Sequence, residues 1–149
     1  MKFKVSCGVG ILFILTIVVI ASSCQNEAQL EFKRYYSAGS LVYQTKCQNC
    51  HGAKGEGLAA LIPPLTDQVY LKANKSLLAC FIKNGLKGKI TVSDRTFEGE
   101  MPANDLSQIE IAEVITYITN SFGNKLGTVT SNQVDVELRK CPLTIDLGR

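Results

Sequence analysis

The sequence predicts a small all-α domain, and three observations carry that prediction. A capped amphipathic segment begins at Ser107, a second run of helical spacing covers Asn74 to Asn84, and no stretch reads as a convincing strand. The 149 residues suffice for one compact domain of the usual size, roughly 100–150 residues. No internal repeat and no low-complexity tract interrupts them.

The N-terminus comes first. Lys2 and Lys4 precede an apolar run from Val9 to Ala21, followed by Ser22, Ser23 and Cys24. The run is 13 residues long, whereas a membrane-spanning helix needs about 20. A basic start, a short apolar stretch and small residues at a cut site describe a secretory signal over 1–23. The cysteine that ends it makes the segment resemble a bacterial lipoprotein signal, cleaved before Cys24 with lipid added to the Cys24 sulfur. Ala21 departs from the strictest form of that pattern, which has leucine there, and an uncleaved anchor is the alternative. Loss of Lys2 and Lys4 leaves fourteen basic side chains against thirteen acidic ones, a net charge of about +1. That balance excludes a basic nucleic-acid footprint.

The elements then follow in order. Residues 24–36 are polar and charged with a few apolar positions, and read as a lipidated N-terminus and tether. Ser37 to Lys46 brings Leu41, Val42 and Tyr43 close together and reads as a helix. After His51, the segment AKGEGLAALIPPLTD is rich in glycine and contains two prolines, so it predicts an ordered loop. Leu77, Leu78, Phe81 and Ile82 give Asn74–Asn84 its helical face, and Gly85 stands where that helix ends. Lys87 to Met101 is polar and lacks helical periodicity. Ser107 and Glu110 form a capping box, with Leu106 and Ile111 as a hydrophobic staple. Ile111, Val114, Ile115, Ile118 and Phe122 mark one apolar face, closed by Gly123. A weaker final helix covers about 132–139.

The chemistry concentrates in CQNCH, Cys47 to His51. A structural zinc site needs four ligands, but the chain has one histidine and no second cysteine pair at knuckle spacing. A thioredoxin-like dithiol belongs at a strand-to-helix turn, and these flanks are helical before and glycine-rich after. Cys-x-x-Cys-His is the attachment pattern of a covalent haem. Two thiols three positions apart reach both vinyl groups, and the adjacent His51 is delivered to the iron.

An electron-transfer haem needs a second axial ligand, and methionine or histidine supplies it. There is no other histidine, and of the two methionines Met1 leaves with the signal. Met101, in GEMPAND, belongs to no helical apolar stripe and is followed by Pro102, which holds the loop extended. It is the expected distal ligand; the alternative is an open or water-bound iron.

From about Ser37 to Phe122 the chain resembles a class I monohaem cytochrome c, through CQNCH, the Pro-Pro-Leu loop, Gly-x-Met-Pro and the aromatic-bearing last helix. The resemblance implies an all-α domain of three to five helices wrapped around one covalently bound haem c, at residues 37–123. It matches Gly39 and Tyr43 to the family's first helix and Tyr117 to its last, with the glycine letting the two cross closely. It matches Pro63 to the proline whose carbonyl receives a hydrogen bond from the proximal histidine; Pro64 is adjacent, so the assignment can slip by one. Residues 124–149 exceed the minimal pattern and read as an extension packed on the domain. In an oxidising compartment Cys80 and Cys141 can pair, and closing a loop of about 60 residues stabilises by around 4 kcal/mol. Two buried free thiols are the alternative.

The implied function is one-electron transfer by a haem c with His51 and Met101 as axial ligands. The protein would act as a carrier between unidentified donor and acceptor proteins. It would be lipid-anchored and would face the periplasm in a bacterial cell envelope. It would not be an enzyme: no nucleophile–base pair and no phosphate loop is present. The alternative is a haem c subunit or docking module of a periplasmic dehydrogenase or reductase, with Lys83, Lys87 and Lys89 serving docking or merely facing solvent. A third reading, a peroxidase, requires an open iron.

Overall fold

The computed structural model describes the backbone of residues 3–142. Within its first helix, side chains are described at positions 10, 16 and 17 and from 27 onward. The side chain of Cys24 and most of the predicted signal therefore lie outside the described residues. The chain divides into two compact units, Met1–Lys33 and Arg34–Arg149. The first is helical throughout its described length, with Ile17 and Leu30 exposed. Among the described residues no helix is long and apolar enough to cross a membrane.

Helix α1, Phe3–Lys46, runs through the segment expected to be a tether. Glu27, Ala28, Leu30, Glu31, Lys33 and Arg34 all have favourable helix propensity, and a polar composition does not break a helix. The second unit also begins before Ser37. Tyr35 is buried and Tyr36 packs its ring on Tyr117, 5.1 Å between centroids. Those two tyrosines fix the start of the packed domain, and they fall outside the apolar cluster that marked the helix in the sequence.

The second unit continues with α2 (Gln48–His51) and α3 (Gln68–Ala73). A 3₁₀ turn (Lys75–Leu77) leads into α4 (Leu78–Asn84). Then come strands β1 (Ile90–Val92) and β2 (Arg95–Phe97), α5 (Gln108–Ile118) and α6 (Ser131–Leu138). The antiparallel hairpin β1–β2 was not expected. It pairs Ile90 with Phe97 and Val92 with Arg95. Ser93 and Asp94 turn it with φ of 50° and 58°, without the Asn-Gly or Asp-Gly pair that usually signals such a turn.

Helix α5 starts as its sequence dictates. Ser107 N donates to Glu110 Oε2 at 2.8 Å and completes the capping box. It stops at Ile118, one turn before Phe122. Thr119 Oγ1 bonds back to the Ile115 carbonyl at 2.7 Å, and Asn120 Oδ1 accepts from Leu126 N and Gly127 N. These bonds satisfy the last turn and send the chain into the extension. Thr130 and Gln133 then form a second capping box at α6.

Helices α4, α5 and α6 share one core with the end of α1; Tyr43, Ile111, Ile115 and Val134 are almost wholly buried in it. Gly39 permits the α1–α5 approach, because a Cβ there would overlap the Glu113 carbonyl oxygen. The extension is part of the fold. Thr116 Oγ1 accepts from Val129 N at 2.9 Å, and Cys141 is disulfide-bonded to Cys80, with Cα atoms 5.7 Å apart. Ile90, Val92 and Phe97 make a second, smaller cluster, against which Tyr70 and Leu86 pack.

Candidate haem site

The end of α1 and the single turn α2 build the first side of the site. Cys47 N donates to Tyr43 O and His51 N donates to Cys47 O, each at 2.9 Å. Positions i, i+3 and i+4 share a helix face, so this turn presents Cys47, Cys50 and His51 together. Cys47 is half-buried against the main core while Cys50 is exposed. Both are free thiols, in contrast to the bonded Cys80 and Cys141. Burial, and then the neighbouring Cys50, push the Cys47 thiol up to about 11.

His51 Nδ1 lies 3.1 Å from the carbonyl oxygen of Pro63, not of Pro64. A carbonyl only accepts, so Nδ1 carries the proton and Nε2 is left as the ring's free donor atom. Burial depresses the histidine's basicity below the ordinary value, and the Pro63 bond partly offsets it. The ring is thus a neutral imidazole of fixed tautomer and orientation.

The loop after His51 folds back to deliver that carbonyl. Gly57 N donates to His51 O at 2.8 Å and Leu65 N to Gly55 O at 2.7 Å. Gly57 has φ +70°, and a Cβ there would press on the Ile62 carbonyl and the Pro63 backbone. Tyr43 Oη donates to Gly52 O at 2.6 Å, tying the loop to α1. Asn124 Nδ2 donates to Leu65 O at 2.8 Å and to Ile118 O at 2.9 Å, tying it to α5. Tyr43 and Tyr117 meet as the resemblance implied, 5.3 Å between centroids, and Tyr36 and Phe122 join them; the Asn124 bridge and the part of Tyr36 had no signal in the sequence.

Met101 is positioned by a different device. Its backbone exchanges two hydrogen bonds with Leu86, both 2.9 Å, and Asn104 N donates to Ile82 O at 3.1 Å. Lys87–Glu100 (2.9 Å) and Lys89–Glu98 (2.7 Å) continue that pairing as exposed ion pairs toward the hairpin. Lys83 meets Asp105 at 3.3 Å. Each of the three lysines singled out for docking therefore has an acidic partner, and they form no net positive patch.

Cys47, His51, Pro63 and Met101 line one cavity, whose remaining walls are mostly aliphatic and aromatic. The space between these walls amounts to about 690 Å³, part of it open to solvent. An adjoining lobe shares His51, Pro63, Leu86, Ile90 and Met101 and adds Cys50. The residues fit a haem. They offer apolar walls for a flat macrocycle, two unpaired thiols, a neutral imidazole and a thioether. One buried phenol, at Tyr70, has no hydrogen-bond partner among the described residues. No cluster of three or more His, Cys, Asp or Glu side chains suited to a metal ion occurs among the described residues.

Comparison with known proteins points the same way. The cytochrome c family profile, described as "Cytochrome c", matches residues 36–121. The cytochrome c subunits of the quinone alcohol dehydrogenases of Gluconacetobacter polyoxogenes and Komagataeibacter europaeus are each 35% identical to the chain over 101 residues. Those alignments cover 64% of this chain but only 21% of each relative. This chain thus matches about a fifth of the length of those curated relatives. The profile match spans more than half of the chain and is centred on the residues that build this cavity. The chain therefore belongs to the cytochrome c family, as a class I member that binds haem c covalently and carries electrons.

Proposed function

We propose that this protein is a membrane-tethered electron carrier of the bacterial cell envelope, with His51 and Met101 as the axial ligands of its haem iron. Cys47 and Cys50 are the thioether anchors, and the Pro63 carbonyl orients His51. The observation that carries this reading is the convergence of Cys47, His51 and Met101 on one apolar cavity.

Bound haem supplies one-electron chemistry between Fe(III) and Fe(II). The protein's part is to hold, orient and shield. Nδ1–H of His51 stays on Pro63 O, so Nε2 is the donor atom and the imidazole cannot rotate freely. The Met101 thioether is a soft donor that raises the reduction potential. Leu78, Phe81, Ile82 and Val114 exclude water from the cavity. If His51 and Met101 both held the iron, no position on it would be left for substrate, which would separate a carrier from a peroxidase.

Expression with the haem c maturation machinery tests the ligand set. Wild type and Met101→Ala should both contain covalent haem, and only the wild type should show the methionine–sulfur charge-transfer band and resist cyanide. A wild type that binds cyanide readily and lacks the band would overturn the assignment of Met101.

A second reading has support of its own. The relatives are subunits of quinone alcohol dehydrogenases, so this chain can be the haem module of a larger dehydrogenase. Purification from native membranes separates the readings and tests the tether. A monomer whose mature N-terminus is lipidated Cys24 supports the tethered carrier. Stable co-elution with a larger protein supports the module, and an N-terminus at Met1 without lipid refutes the lipid anchor in favour of the uncleaved one.

A further inference from the structure

Residues 58–61 read Leu-Ala-Ala-Leu, and all four are exposed. Leu58 keeps 54% of its surface and Leu61 keeps 65%. The turn is closed by its own backbone. Leu58 N donates to Ile62 O at 3.0 Å, Ile62 N to Leu58 O at 3.2 Å, and Leu61 N to Leu58 O at 2.9 Å. Ala59 holds φ of +46° within it, a conformation that glycine adopts at lower cost. The other large apolar side chains exposed on this unit, Leu41, Val69, Ile109 and Val136, each stand alone on a helix. Single exposed apolar residues are ordinary, whereas a run of four in a fixed turn marks a binding surface.

This knob stands at the outer lobe of the haem site. Leu61 lines that lobe together with Cys50, Gly99, Met101 and Pro102. A Cβ on Gly99 would lie 2.6 Å from the Leu61 carbonyl oxygen, so the knob touches the stem that carries Met101. The surrounding charges balance. Lys54 and Glu56 share the knob's own loop, and Lys87–Glu100 and Lys89–Glu98 are paired on the stem. Apolar residues at the centre with charges confined to the edge is the anatomy of a protein–protein interface. A lipid surface is instead met by apolar residues backed by an excess of basic ones, and here three lysines face three glutamates.

We propose that the 58–61 turn is the docking knob for the electron-exchange partner, a redox protein that receives it in an uncharged apolar recess. The proposal rests on the reading of this chain as an electron carrier. Burial of Leu58 and Leu61 holds the complex, and the balanced rim gives it little electrostatic steering. Its formation is therefore insensitive to salt.

The test is reduction of the haem-loaded protein by quinol-fed membranes of the source organism from which this chain has been deleted. Each quinol yields two electrons, one for each Fe(III), and two protons to water. Rates are divided by those with ascorbate, which needs no docking surface. In Leu58→Ser/Leu61→Ser that ratio should fall about tenfold, as on losing the anchors of an interface. In Val69→Ser, an exposed position outside the run, it should stay at the wild-type value. The wild-type rate should change less than about twofold between about 50 and 500 mM salt, a range over which a steered association falls steeply. An unchanged ratio in the double variant, an equal loss in Val69→Ser, or a steep salt dependence overturns the proposal and leaves the carrier standing. Membranes that never reduce the wild type, while ascorbate does, overturn both. If the double variant does not fold, Leu58→Ser alone should lower the ratio by about threefold, and no loss overturns the proposal. Sedimentation with phosphatidylglycerol vesicles, or a dimer in ultracentrifugation, that is seen in wild type and lost in the double variant overturns it in favour of lipid or a second copy.

Discussion

The two loops that carry the candidate ligands are built by opposite means. The loop that holds His51 is knotted locally: the Gly57–His51, Leu65–Gly55 and His51–Pro63 bonds all close within residues 51–65. The segment that holds Met101 is an open stem. Leu86 pairs with Met101 across fifteen positions, and the stem continues through Lys87–Glu100 and Lys89–Glu98 to a hairpin turned at Ser93–Asp94. Exposed ion pairs of this kind contribute about 0–1 kcal/mol each. The histidine side is thus held by buried or glycine-dependent backbone bonds. The methionine side leans on a short, solvent-facing ladder and on what α4 provides behind it. Regions with exposed backbone bonds open at lower free energy than buried ones. The expectation is a site rigid on one face and yielding on the other.

Removing the support behind α4 should have the largest effect. Cys80 is buried on α4, whose other residues Leu78, Phe81 and Ile82 wall the cavity, and its disulfide reaches 61 positions along the chain to Cys141. Closing a loop of that length stabilises by about 4 kcal/mol in the chain-entropy account. The double variant Cys80→Ser/Cys141→Ser should lose about 2–4 kcal/mol in denaturant unfolding. It should also exchange backbone amides faster from 82 to 104 than from 52 to 65. Equal acceleration of both loops would contradict the asymmetry.

The histidine side can be broken on its own at Gly57. An alanine there meets the Ile62 carbonyl and must hold φ near +70°. Strain of that kind costs about 1–3 kcal/mol before any clash is relieved. Gly57→Ala should lower stability by about 2–3 kcal/mol and should disturb the His51–Pro63 bond, read as a shifted histidine ring resonance in the reduced protein. If stability falls while that resonance is unmoved, the loop is not what orients the ring.

The same contrast explains what the sequence disclosed. His51, its cysteines and the Ser107 capping box are local patterns, so residue types at fixed spacing announce them; the Pro63 carbonyl was implied only by the resemblance to the family. The hairpin is also local, but its turn uses Ser93–Asp94, and its strands are three residues long and flanked by charges. Alternation needs more length to be visible. The polar composition before Ser37 hides that the segment is helical and that Tyr35 and Tyr36 at its end are packed, because their partners are 96 and 85 positions away. The Asn124 bridge and the orphan Tyr70 hydroxyl are tertiary facts. No spacing rule gives them.

Asp67 joins α3 to the hairpin on the methionine side and offers the smallest and most specific test. One carboxylate oxygen caps α3 by accepting from Tyr70 N at 3.0 Å, and the other accepts from Ser93 N (3.0 Å) and Ser93 Oγ (2.9 Å) in the hairpin turn. The Tyr70 amide first, and the Ser93 donors after it, hold the Asp67 carboxyl below its ordinary pKa. A carboxyl whose folded-state pKa is depressed adds stability that is fully present above its unfolded value, near 4, and is lost as pH falls through the folded value. Asp67→Ala should therefore cost about 1 kcal/mol at neutral pH, the usual worth of an N-cap, and the gap to wild type should narrow below about pH 4. Because Asp67 grips the hairpin turn rather than the 52–65 loop, the variant should loosen amides around Ser93 while those of Gly55 to Leu65 stay protected. A gap that is constant from pH 7 to pH 3 would mean that the charge of Asp67 does no work at this seam, and that the hairpin is held by Phe97 and Tyr70 packing alone.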